Sequence, residues 1–290
     1  MREFIIATDA TCDLPCDLVR EMGILVLPME FQMSGTSYRH YFDAREMSLE
    51  EFYRRTGEGE MTTTSQINMT TYEEYFVPVL EEGKDILYIC FSSGLSGTYQ
   101  ASRIAAAELQ EKFPDRKIIS IDSLCASSGE GLLVWAAVQQ KKQGMELEQL
   151  AQWVEDHKMN VCHWYTVDDL QHLKRGGRIS AATAMVGGLL NVKPVLRVDD
   201  EGRLVSYGKA RGRRKSMESM VEQAAAHLVN PEEQTIFVGH GGCKEEGEML
   251  YRLAQERLHV KNIIFTEVGP VIGAHTGVGV LTLFHFGDHR

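Results

Sequence analysis

Three short segments carry the side chains best suited to gripping a small ligand. Thr62-Thr63-Thr64-Ser65-Gln66 gathers four hydroxyls in a loop ahead of a helix, where serine and threonine ordinarily cap free N–H groups. Phe91-Ser92-Ser93-Gly94-Leu95-Ser96-Gly97-Thr98-Tyr99 joins a strand to a helix. Its hydroxyls and glycines can aim backbone N–H groups at an anion, which the helix dipole favours; a tight turn needs the same residues. In the third segment, Gly269 to Gly279, four glycines surround His275. They let backbone approach a ligand closely, and the imidazole can donate a hydrogen bond to a carboxylate or serve a purely structural purpose.

Motifs for covalent chemistry are incomplete. Gly94-Leu95-Ser96-Gly97-Thr98 has Thr98 where a nucleophile elbow needs its second glycine. No G-x-x-x-x-G-K-[ST] phosphate loop occurs, and neither Gly176-Gly177 nor Gly187-Gly188 forms a dinucleotide fingerprint. A serine-hydrolase-like enzyme using Ser96 and His275 with a distant aspartate stays open as the alternative, since such a relay assembles in space. The six cysteines lack CxxC spacing, which argues for reduced, mostly buried thiols and against a metal site. A net charge of −11 disfavours nucleic acid as a partner, leaving only the basic run Lys209, Arg211, Arg213, Arg214 and Lys215 for a phosphate-bearing one.

The elements that must position these segments alternate. Apolar runs at 4–7, 24–27, 86–91 and 118–121 read as buried strands, and the pattern restarts at 161–167, 194–198, 235–238, 263–266 and 280–284. Helices lie between, with capping boxes expected at Ser48/Glu51, Thr71/Glu74 and Ser127/Glu130, and a bend or early stop at Pro78. The expected fold is α/β and two-lobed, residues 1–158 and 159–290, joined by the polar helix 146–158. Each lobe is expected to hold a mostly parallel sheet flanked by helices, its ligand crevice at the carboxyl ends of the strands. No apolar run reaches the roughly 18 residues a membrane span needs, and acidic residues come too early for a signal peptide, so a cytoplasmic protein is expected.

Spelling and order add to residue type. Ala7-Thr8-Asp9, Thr64-Ser65-Gln66, Ser92-Ser93-Gly94-Leu95-Ser96-Gly97-Thr98-Tyr99, Ile121-Asp122-Ser123, Leu173-Lys174-Arg175-Gly176-Gly177-Arg178-Ile179-Ser180 and Gly273-Ala274-His275-Thr276-Gly277 together resemble the DegV family of bacterial fatty-acid-binding proteins. The chain departs from the family pattern at Ala10, Ile67 and Val278. The resemblance implies a non-catalytic carrier, without cofactor or metal, that buries the tail of one long-chain fatty acid in an apolar pocket between or within the lobes. It places the carboxylate on Thr64, Ser96 and His275, with Ser65, Ser93, Gly94, Gly97, Gly273 and Thr276 supporting them. It further implies that a separate fatty acid kinase phosphorylates the bound lipid, with Arg211 near the contact.

Overall fold

A computed structural model describes residues 2–168, 170–180 and 191–290, so Gly187 and Gly188 lie outside the described residues. The first sheet contains β1 (Phe4–Asp9), β2 (Leu25–Leu27), β6 (Asp85–Cys90) and β7 (Ile118–Asp122) in the order β2-β1-β6-β7, every pair parallel. All of β6 is buried, as a continuous apolar run in a sheet covered on both faces should be.

The second sheet contains β8 (Val161–Thr166), β9 (Val192–Val198), β10 (Leu204–Arg211), β11 (Thr235–Gly241), β12 (Asn262–Glu267) and β13 (Val280–Phe286), ordered β10-β9-β8-β13-β11-β12. The two-lobed α/β class is as read, but this sheet corrects the expectation that both would be mostly parallel. Only β11 and β12 run parallel; the remaining neighbours are antiparallel. Strands buried on both faces show the same apolar run in either direction, so orientation follows from connections. The tight turn that returns β9 into β10, closed by the Gly202 N–H on the Asp199 carbonyl at 3.0 Å, carries little apolar signal.

A third, antiparallel sheet was not legible from the sequence, because two of its three strands are short and polar. It consists of β3 (Met29–Met33), β4 (Thr36–His40) and β5 (Thr62–Thr64).

The helix Ser128–Lys142 lies between the two large sheets and is buried around most of its girth. Two glycines allow that approach: a Cβ on Gly129 would stand 2.3 Å from His163 Nε2, and one on Gly131 2.5 Å from the Cys12 carbonyl. One core cluster therefore runs through Phe4, Leu87, Leu133, Val161, Phe237 and Phe284. Each such side chain contributes roughly 1.5–3 kcal/mol.

Helix starts divide between expectation and correction. Ser48 accepts the Glu51 N–H at 3.2 Å. The helix expected from Thr71 begins earlier, Met69–Glu81, capped by Asn68 on the Thr71 N–H at 3.0 Å, and it continues past Pro78. Ser127 caps nothing with its hydroxyl, which donates to Asp13 Oδ2 at 2.5 Å, while Glu130 is buried and accepts from Thr8 at 2.8 Å. Buried polar groups have found partners across the fold in place of local ones. Among the described residues no helix is long and apolar enough to cross a membrane.

Candidate functional site

Between the two large sheets lies a cavity enclosing about 880 Å³, its open mouth included. Phe91, Leu95 and Ala126 line it from the first lobe, and Val198, Leu204 and Phe284 from the second sheet.

Polar groups collect where three loops converge. β5 pairs with β3 and presents Thr64 opposite Phe31. The helix Pro270–Thr276, opened by a proline whose missing N–H costs nothing at that position, carries His275. Thr64 Oγ1 and His275 Nε2 are 2.9 Å apart. Ser96 precedes the helix Thr98–Lys112; its hydroxyl accepts the Thr98 N–H at 3.2 Å and lies 2.9 Å from Thr98 Oγ1. Thus Ser96 both lines the cavity and organises a helix start. The two loops touch, for a Cβ on Gly97 would meet Gln66 Oε1 at 2.1 Å.

Burial, aided by the positive charge of Arg178, lowers the His275 pKa to about 4, so the ring is neutral near pH 7. Its Nδ1 is buried and has no hydrogen-bond partner among the described residues. The ring rests on Gly176, where any Cβ would stand 2.2 Å from Nδ1. Arg178 lines the same cavity and donates from Nε to the Leu95 carbonyl at 3.2 Å. Deeper in the wall, the buried Tyr165 hydroxyl and Thr282 Oγ1 also lack partners among the described residues. The polar end therefore combines neutral groups with one guanidinium, an arrangement suited to an anion.

Of the residues singled out from sequence, Thr64, Ser65, Ser96, Gly97, His275 and Thr276 line this cavity. Ser93 is exposed, with its N–H on Asp122 Oδ1 at 3.1 Å. Gly94 faces the β9–β10 turn, where a Cβ would come within 2.5 Å of the Glu201 carbonyl. Gly273 lets its helix approach Phe52 and Tyr53. Arg211 is exposed at the end of β10, paired with Val192, and is not among the lining residues. Gln66, Tyr165, Arg178 and Thr282 line the cavity without having been singled out as site residues. Gln66 and Arg178 had a signal, standing inside the quoted motifs; Tyr165 and Thr282 lie on strands that read as plain core.

His275 Nε2 pairs with Thr64, and Ser96 with Thr98, so the serine–histidine link of a hydrolase is not formed. Among the described residues no group of three or more His, Cys, Asp or Glu side chains could hold a metal ion. The six cysteines are unpaired, and Cys12, Cys90, Cys125 and Cys162 are buried.

The model of the DegV family of uncharacterised proteins matches residues 3–287. A DegV domain-containing protein of Clostridium perfringens is 43% identical over 290 residues, which is 100% of this chain and 99% of that protein. The solved DegV family protein from Thermus thermophilus, described for its fatty acid binding, is 31% identical with a TM-score of 0.88, covering 99% of this chain and 100% of that one. A stearic acid-binding protein from Eubacterium ventriosum is 26% identical with a TM-score of 0.89, covering 98% of each chain.

Proposed function

Since the chain belongs to the DegV family, we propose that it binds one long-chain fatty acid, tail in the cavity and carboxylate at the Thr64–His275 end. The observation that carries this reading is an apolar cavity that ends in an uncharged threonine–histidine pair with Arg178 beside it. Fatty acid binding by the Thermus thermophilus relative supports it.

The energetics divide cleanly. Burial yields about 0.8 kcal/mol per methylene, so a tail of about fifteen offers on the order of 12 kcal/mol before ordering costs. Hydrogen bonds to a charged acceptor add roughly 1.5–3 kcal/mol each, enough to offset lost hydration and fix which end stays at the mouth. Neutral donors on Thr64, Ser96 and His275 leave a carboxylate oxygen free to attack a phosphoryl donor. The protein is thus a non-catalytic carrier that presents its lipid to a separate fatty acid kinase in the cytoplasm, with Arg211 on the side the kinase approaches. It needs no cofactor of its own.

Mass spectrometry of an organic extract of the purified protein tests this directly. The expected result is one fatty acid per chain, or stoichiometric uptake of added fatty acid by delipidated protein. Absence of both defeats the reading. A panel of generic esters tests the hydrolase alternative, for which turnover above background is required.

A further inference from the structure

Both carboxyl oxygens of Asp13 are committed to elements that build the cavity. Oδ1 accepts the Gly269 N–H at 2.9 Å, and Gly269 opens the helix that carries His275. Oδ2 lies 2.5 Å from the Ser127 hydroxyl, and Ser127 lines the cavity with φ at 55°, a left-handed conformation that a serine holds only when its surroundings impose it. There is no slack around this contact. A Cβ on Gly269 would stand 2.8 Å from Asp13 Oδ1 and 2.2 Å from His40 Cε1, while the Tyr53 hydroxyl holds the preceding Val268 carbonyl at 2.7 Å. Asp13 itself is left-handed, φ 48° and ψ 34°, a conformation aspartate tolerates better than most residues.

We infer that Asp13 is a positioning residue, which sets the placement of the helix bearing His275 and of Ser127 in the cavity wall without touching the occupant. The inference rests on the carrier reading only for what the cavity holds. Burial pushes the Asp13 pKa up to about 8, so near pH 7 the group is a neutral acid, with one oxygen accepting from Gly269 and the other paired with the Ser127 hydroxyl. Asparagine keeps the shape and the acceptor for Gly269; alanine removes both.

Two readouts on Asp13→Asn and Asp13→Ala test this. In ligand-free protein, the His275 ring is followed by NMR as pH is lowered. Wild type and Asp13→Asn should titrate near pH 4, and folded Asp13→Ala should move toward the ordinary 6.5 as the ring loses its buried place. In binding assays, the preference for palmitate over hexadecanol, which share a tail length, should fall about tenfold in Asp13→Ala and stay within about twofold in Asp13→Asn. A merely structural role would weaken both ligands equally. Unchanged His275 titration in folded Asp13→Ala overturns the inference whatever the protein binds, and so does equal weakening of acid and alcohol. If wild type binds neither ligand, the carrier reading fails and the titration alone decides on Asp13. Should Asp13→Ala fail to fold, the same comparisons are made on Asp13→Ser.

Discussion

A buried carboxyl beside another must account for its proton. Thr11 Oγ1 lies between Asp9 Oδ1 and Glu130 Oε2, the latter at 3.0 Å, yet a hydroxyl has one hydrogen to give. Burial, and then repulsion from Asp9, raise the Glu130 pKa well above the ordinary value, so Glu130 supplies a hydrogen to Thr11, which donates onward to Asp9. Asp9 Oδ2 in turn accepts the Phe91 N–H at 3.0 Å and the Tyr88 hydroxyl at 3.1 Å, anchoring the strand end that leads to Ser96. Glu130→Gln should therefore fold with less than about 1 kcal/mol of loss, whereas Glu130→Leu strands Thr8 and Thr11 and should cost roughly 2–4 kcal/mol in urea denaturation. Gly176→Ala belongs to the same scale. Its φ is ordinary, so only the His275 ring opposes the new methyl, and fatty acid affinity should drop about tenfold with the melting temperature little changed. Thr64→Val, which keeps shape and removes the hydroxyl, should weaken fatty acid binding by roughly ten- to a hundredfold while sparing the matching alcohol, as read by competition with a fluorescent lipid.

Among the elements, legibility in the sequence followed the strength of the pattern. The four strands of the parallel sheet are continuous apolar runs and were found within a few residues. Strands β4 and β5 were lost because residues such as Ser37, Arg39 and Thr63 show no period. β5 delivers Thr64, so part of the site hung on an element that only a family resemblance could locate. Tyr165 and Thr282 show the complementary blindness: a strand buried on both faces does not tell which face meets a void. The helix Ser128–Lys142 makes an element-scale prediction of its own. Gly131→Ala would drive a methyl into the Cys12 backbone and the Leu14 side chain, where nothing flexible gives way at the carbonyl, and should cost at least about 2 kcal/mol by chemical denaturation.

At the scale of the whole molecule, Asp13 leaves a signature in stability. It titrates near 3.8 when unfolded and near 8 when folded, so between those values the native state holds a proton that the unfolded chain has released. Its favourable contribution is complete below about pH 3.8, declines as pH rises, and is gone above about 8. Asparagine does not titrate. The stability of wild type relative to Asp13→Asn should thus fall steadily from pH 4 to pH 8 and level off beyond, in urea midpoints taken across that range; a flat difference would contradict it. The neighbouring groups Asp9, Glu130 and His40 are common to both proteins and cancel in the comparison to first order.

The hairpin that joins β9 to β10 has a bearing on traffic. Ser92 Oγ donates to the Gly202 carbonyl at 2.8 Å, and Gly94 sits so close beneath Glu201 and Gly202 that a methyl there has no room. This latch fastens the second sheet to the glycine loop of the first across one wall of the chamber. A clamshell gape at this wall would have to break that hydrogen bond and lift the turn off Gly94.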